Sequence, residues 1–126
     1  MKTVWVVDDD KEMIDAVTLM LRVLEYGAQA HLHARSAAQA LLAGGRPDLL
    51  ILDINMPEVS GLDLLEFVRR RPEFQYLPIL MLSTEAADVT VDRAMTLGAD
   101  GYVTKPVTLE ELEGALQAAF QKHPQP

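Results

Sequence analysis

At 126 residues and 13.9 kDa, with 49% hydrophobic residues, the chain has the size of one domain and enough apolar side chains to bury a core. Nineteen acidic against eleven basic side chains give a net charge of -8 and a pI near 4.7, which argues against non-specific binding to nucleic acid or to an anionic membrane. The absence of cysteine excludes disulfides and thiolate metal sites and implies no oxidising compartment.

Met1-Lys2-Thr3 runs straight into a short strand, with neither the apolar length of a signal peptide nor that of a transmembrane span. The expectation is a cytoplasmic protein. The first strand, Val4-Trp5-Val6-Val7, ends on Asp8-Asp9-Asp10. Ile14, Val17, Leu21 and Leu24 then share one helical face, and Gly27 is the expected stop. A weak strand follows over residues 28–34, and Ser36 with Gln39 resembles a capping box for a short helix ending at Gly44-Gly45.

Arg46-Pro47 leads to Leu49-Leu50-Ile51-Leu52, an apolar run that predicts a strand buried on both faces of a parallel sheet, and it ends on Asp53. Ser60 and Asp63 mark the next helix start, with Leu62, Leu65 and Val68 as its apolar stripe and Pro72 as its terminator. Arg69-Arg70-Arg71 lies where that helix ends and reads as complementing its dipole. Residues 77–82 form the fourth strand, with Ser83-Thr84 at its end; the following helix runs to about Leu97 and closes at Gly98. A short fifth strand spans residues 100–103. Thr108 with Glu111 caps a last helix whose core face is Leu109, Leu112, Leu116 and Phe120. Residues 1–122 are thus one domain, and His123-Pro124-Gln125-Pro126 reads as a free end or the start of a linker.

Five strand–helix pairs in this length predict an α/β fold: a three-layer α/β/α sandwich around a five-stranded parallel sheet. In open parallel sheets, ligands sit outside the carboxyl ends of the strands, near the point where the winding direction changes. Those ends carry Asp8, Asp9, Asp53 and Ser83, with Lys105 just after the fifth strand. A carboxylate at the end of a buried strand costs free energy unless a charge or hydrogen bond meets it. Clustered carboxylates repel by roughly 4 kcal/mol per pair at a surface-like dielectric, which a hard divalent cation would relieve. An acid–hydroxyl–ammonium cluster of this kind suits phosphoryl transfer onto a carboxylate, with the metal and Lys105 neutralising charge on the transferring group.

His31 and His33 alternate on the weak strand and read as solvent-exposed rather than as metal ligands. No glycine-rich phosphate cradle follows a strand.

Taken together, Val6-Val7-Asp8-Asp9, Leu52-Asp53-Ile54-Asn55-Met56-Pro57 with Gly61, Leu82-Ser83-Thr84, Gly98-Ala99-Asp100-Gly101-Tyr102 and Thr104-Lys105-Pro106 make the chain similar to the receiver domain of two-component response regulators, including chemotaxis-type single-domain receivers. The resemblance covers nearly the whole chain. It implies a flavodoxin-like strand order 2-1-3-4-5. It implies that Asp53 accepts a phosphoryl group from a histidine kinase or phosphotransfer protein, and that Asp8, Asp9, Asp53 and the backbone carbonyl of Asn55 hold Mg²⁺, with Mn²⁺ as a substitute. Lys105, Ser83 and Thr84 would contact the phosphoryl group, Ser83 and Tyr102 would form a switch pair, and the Lys105–Pro106 bond would be cis. Asn55 and Glu85 occupy positions that tune phosphoryl lifetime in the family.

The implied output surface is the fourth helix, fifth strand and fifth helix, facing an effector protein or an effector domain outside this chain, with the receiver a monomer or a phosphorylation-dependent dimer. The implied role is signal transduction rather than enzymatic turnover, beyond self-phosphorylation from small donors and slow self-dephosphorylation. Thr84 stands where a smaller residue is frequent, Val107 replaces a frequent Phe, and the last helix lacks basic residues before Lys122. Two alternatives use the same residues. A degenerate receiver would bind protein without phosphorylation. An Asp-nucleophile phosphohydrolase would need a second Asp two residues after the nucleophile, where this chain has Asn55.

Overall fold

Strands and helices alternate through the chain. The structure, a computed structural model, describes residues 1–123. Among them the order is β1 (Thr3–Val7), α1 (Lys11–Val23), β2 (Gly27–His31), α2 (Ala34–Leu42), β3 (Leu49–Leu52), α3 (Gly61–Arg70), a 3₁₀ turn (Pro72–Phe74), β4 (Ile79–Ser83), α4 (Asp88–Leu97), β5 (Gly101–Thr104) and α5 (Leu109–Lys122). The five strands are parallel in the order β2-β1-β3-β4-β5, as predicted, and the fold is α/β and flavodoxin-like. The expected tail Pro124-Gln125-Pro126 lies outside the described residues.

The three central strands alternate apolar side chains between two separate cores. Val4, Val6, Leu49, Ile51, Leu80 and Leu82 meet Ile14, Val17 and Leu21 of α1 and Leu112, Leu116 and Ala119 of α5. Trp5, Val7, Leu50, Leu52, Ile79 and Met81 meet α2, α3 and α4 through Ala37, Leu41, Leu64, Leu65, Val68 and Ala94. Burial on both faces explains why these strands are continuous apolar runs rather than alternating ones. The edge strand β2, Gly27-Ala28-Gln29-Ala30-His31, is only partly covered and correspondingly small and polar.

Several local boundaries differ from expectation. The chain leaves α1 through Glu25, at φ +69°, whose N–H donates to the Arg22 carbonyl; Gly27 is instead the first residue of β2. Ser36 does not cap α2. The N-cap is His33, without a side-chain bond, and Ser36 sits inside the helix, where its hydroxyl donates to the His33 carbonyl at 2.9 Å. In α3, Leu64 joins Leu65 and Val68 as a fully buried residue, while Leu62 is half-buried and packs against the same core. Leu109 is exposed at the first turn of α5, and Ala119 takes a core place while Phe120 stays half-buried and stacks on Tyr26. His31 is half-buried against Trp5, their rings 4.8 Å apart, whereas His33 is exposed. Burial lowers the His31 pKa from its ordinary value.

The capping boxes expected at Ser60/Asp63 and Thr108/Glu111 are both closed. Gly98 ends α4 at φ +111°, a conformation glycine adopts without a steric penalty.

The arginine run divides. Arg70 pairs with Glu66 and Arg71 with Glu73 at the surface, but Arg69 turns inward. Its guanidinium donates to the Gly98 carbonyl at 2.9 Å, the Phe74 carbonyl at 3.0 Å and Asp100 Oδ2 at 2.9 Å. Asp100 also accepts the Ile79 N–H and, through Oδ1, contacts His123 Nε2 at 2.7 Å. This buried network ties α3, β4, β5 and the end of α5 together at the amino ends of the strands, away from the acids. Burial lowers the Arg69 pKa from its ordinary value, and Asp100 opposes that shift.

Candidate functional site

The sheet ladder brings the acids to one edge. Asp8 N–H continues the β1–β2 ladder by donating to the His31 carbonyl at 3.1 Å, and Asp53 N–H continues β3 by donating to the Val7 carbonyl at 2.9 Å. Lys105 N–H does the same from β5, donating to the Ser83 carbonyl at 2.9 Å. Because β1 and β3 are neighbours at the point where the winding reverses, Asp8 and Asp53 emerge side by side.

Asp8 and Asp53 are buried, at 2% and 5% exposure, and Asp9 is exposed beside them. One carboxylate oxygen from each of the three lies within 4.8 Å of the others. Lys105 Nζ lies 2.6 Å from Asp8 Oδ2 and 3.6 Å from Asp53 Oδ1. Its ammonium therefore offsets one of three negative charges. Burial raises the Asp53 pKa, and the Asp8 carboxylate raises it further; Lys105 and the backbone N–H groups of Asn55 and Ile54 oppose that rise.

A donor set of three carboxylates, all oxygen and with two unbalanced charges, fits a hard divalent cation such as Mg²⁺ and has no soft ligand to favour a thiophilic metal. Asp10, the third acid of the run, is not part of it. Asp10 Oδ1 caps α1 by accepting the N–H groups of Glu12 and Met13, and its own N–H donates to Asp8 Oδ1.

The remaining residues gather at the mouth. Ser83 is fully buried at the end of β4, and its hydroxyl accepts the Glu85 N–H at 3.2 Å. Thr84 is exposed and Glu85 half-buried in the loop that follows. Tyr102 on β5 donates its hydroxyl to the Glu85 carbonyl while its ring packs against the α2–α4 core. Burial raises the Tyr102 pKa. Asn55 is exposed in the loop after Asp53, and the Lys105–Pro106 peptide is cis.

Sequence reasoning gave no role to one residue that touches the site and misassigned one that braces the sheet at its far end. Gly61, the first residue of α3, presses against the Asp53 backbone, and a glycine at a helix start where a better helix former would serve is the available signal. Arg69 follows Leu65 by four residues and so lies on the buried side of α3, a spacing that separates it from Arg70 and Arg71.

Among the described residues, no helix is long and apolar enough to cross a membrane. The family model of the response regulator receiver domain matches residues 4–117. The chain is 33% identical over 117 residues to the chemotaxis protein CheY of Pseudomonas aeruginosa, covering 93% of this chain and 94% of that protein. It is 37% identical over 124 residues to the probable transcriptional regulatory protein TcrX of Mycobacterium tuberculosis, covering 95% of this chain but 50% of that one. Among solved structures, chemotaxis protein CheY4 of Vibrio cholerae superposes with a TM-score of 0.86 at 32% identity, covering 94% and 98% of the two chains. A putative response regulator from Chloroflexus aurantiacus gives 0.90 at 29% identity, covering 95% and 98%. With its fold, its acid cluster and these relatives in agreement, the chain belongs to the response regulator receiver domain family.

Proposed function

We propose that this receiver is a phosphorylation switch in which Asp53 is the phosphoacceptor. The observation that carries the reading is the meeting of Asp8, Asp9 and Asp53 within 4.8 Å, with Lys105 Nζ reaching both buried acids. Residues 1–122 act as the folded unit.

In the proposed reaction an Asp53 carboxylate oxygen attacks the phosphorus of a phosphohistidine on a sensor kinase or phosphotransfer protein. The new O–P bond forms as the P–N bond breaks, and its electron pair leaves on the imidazole nitrogen. Asp8, Asp9, Asp53 and the Asn55 carbonyl would hold Mg²⁺, with Mn²⁺ able to replace it, and the ion would supply positive charge to the equatorial phosphoryl oxygens. Lys105 supplies a second positive charge, and Ser83 and Thr84 supply hydroxyls. Ionised Asp53 is the nucleophilic form; Lys105 and the N–H groups of Ile54 and Asn55 favour it against burial.

The switch reading rests on Ser83 and Tyr102. Ser83 shares the Glu85 residue with Tyr102, one through its N–H and the other through its carbonyl. A hydroxyl drawn toward a phosphoryl group would therefore disturb the loop that anchors the ring. Such a two-state element responds to a local change of charge. The output surface would be α4, β5 and α5, presenting exposed Val89 and Leu109 to an effector protein or domain, with the receiver a monomer or a phosphorylation-dependent dimer. Asn55 and Glu85, at the mouth, would set phosphoryl lifetime.

Incubation with acetyl phosphate and Mg²⁺ tests this reading by intact mass. One acid-stable, base-labile phosphoryl group is expected on the parent and none on Asp53→Ala. Equal incorporation by both proteins would reject Asp53 as acceptor.

A further inference from the structure

The first residue of α3 has no room for a side chain. A Cβ on Gly61 would lie 1.9 Å from the Asp53 carbonyl oxygen, 2.7 Å from the Asp53 carbonyl carbon and 3.0 Å from Ile54 Cα. All three are backbone atoms, so no rotamer change relieves the contact. The φ of Gly61 lies outside the left-handed region, so glycine is required here for space rather than for backbone conformation.

The contact falls on the peptide unit that joins Asp53 to Ile54. Against the burial that raises the Asp53 pKa, the backbone N–H groups of Asn55 and Ile54 act to lower it. Gly61 N–H donates to the Ile54 carbonyl at 3.0 Å and so closes the loop from the other side. The helix cannot retreat freely from this contact. Ser60 and Asp63 close a capping box that fixes its first turn, and Leu64, Leu65 and Val68 hold it on the sheet. The amino end of α3 is therefore a fixed abutment behind the acid, made possible by a missing methyl group.

We propose that Gly61 is a positioning residue for Asp53: the bare backbone at the start of α3 sets the aim of the Asp53 carboxylate and of the Asn55 segment toward Asp8 and Asp9. The inference rests on the phosphoacceptor reading above. A methyl group at position 61 displaces the 53–54 peptide, and the displacement is passed to the carboxylate because the contacted carbon and oxygen belong to Asp53 itself, whose side chain leaves the same residue. Purely structural damage would lower stability without changing how the folded site binds a cation.

The experiment compares Gly61→Ala with Leu116→Ala, a cavity variant in the α1/α5 core, in the full chain. Thermal unfolding, calorimetric Mg²⁺ titration and the acetyl phosphate reaction rate at saturating Mg²⁺ are measured for each. In Gly61→Ala, the Mg²⁺ dissociation constant rises and the rate falls, each by about tenfold or more; an ångström of misplacement can cost roughly a hundredfold. In Leu116→Ala, the melting temperature falls while both quantities stay close to the parent. Gly61→Ala with a lowered melting temperature and parental binding and rate would overturn the proposal. Should Gly61→Ala fail to fold, Ser60→Ala decides: loosening the first turn weakens Mg²⁺ binding if the proposal holds, and parental binding in that variant overturns it. A parent that neither binds Mg²⁺ nor takes a phosphoryl group would instead overturn the phosphoacceptor reading, and this inference with it.

Discussion

Lys105 Nζ sits 1.0 Å closer to Asp8 Oδ2 than to Asp53 Oδ1, at 2.6 Å against 3.6 Å. The lysine that would face the phosphoryl group thus rests mainly on an acid proposed to hold the metal. Its ammonium stabilises two buried carboxylates when no cation is present, and it repels a cation that approaches them.

Two consequences of removing that ammonium have opposite signs. Lys105→Met is expected to lower the melting temperature in the presence of a chelator, because removing one partner of a buried ion pair costs about 3–5 kcal/mol. The same variant is expected to gain more stability from Mg²⁺ than the parent does, since the competing positive charge is gone. Thermal unfolding across a Mg²⁺ series checks both; a smaller Mg²⁺ gain than in the parent would refute the competition.

Mg²⁺ is expected to raise the melting temperature of the parent, because the three carboxylates are assembled only in the folded chain. The gain is about 2.7 kcal/mol at one hundred times the dissociation constant. Asp9→Asn, which removes the exposed member of the cluster, should reduce the gain with little effect on the metal-free protein. An undiminished gain would mean that the ion binds elsewhere.

Asp53 makes stability depend on pH. Its folded pKa is raised, so the folded state prefers the protonated acid. The stabilising preference is complete below the unfolded value, near 3.9, and is lost as pH rises through the folded pKa. Asp53→Asn, neutral at every pH, should therefore melt higher than the parent at neutral pH in chelator. The difference should shrink as pH falls below the folded pKa. Differential scanning calorimetry at a series of pH values measures it, and a variant that melts lower at neutral pH would contradict the direction.

The Arg69–Asp100 pair provides a control for distance. Its side chains are 14% and 7% exposed, and it lies at the amino ends of the strands. Arg69→Ala should destabilise by about 3–5 kcal/mol by leaving Asp100 buried without its guanidinium. Mg²⁺ affinity of the folded protein should stay at the parental value, because the acids lie at the opposite end of the sheet. A large loss of affinity would show that the two ends are coupled.

Helix capping separates motif from structure. Thr108→Ala opens a closed capping box and should cost about 1 kcal/mol. Ser36→Ala should cost less, since Ser36 lies inside α2 and caps nothing. Chemical denaturation of the two variants tests the contrast; equal losses would contradict the observed N-cap at His33.

The sequence by itself determined the architecture. Apolar runs ending on Asp8 and Asp53 require strands buried on both faces, and helical stripes between them require a doubly covered parallel sheet. The residues that the acid pocket gathers were legible for the same reason: strand ends in such a sheet share one edge, so Asp8, Asp53, Ser83 and Lys105 could be placed together from order alone. Where the sequence misled, a local motif competed with packing: Gly27 with Glu25 as the stop for α1, and Ser36 with His33 as a cap.

Tertiary structure alone decided which charges pair. Asp8, Asp9 and Asp10 are adjacent and chemically alike, yet the fold buries Asp8 against Lys105, leaves Asp9 exposed beside the cluster and spends Asp10 on a helix cap. Arg69, Arg70 and Arg71 are likewise identical in sequence and divided by the fold. Apolar periodicity is written along the chain because a strand or helix imposes its own repeat. The partners of a charge, and the backbone that Gly61 must clear, come from segments distant in sequence, and only the packed sheet brings them within ångströms.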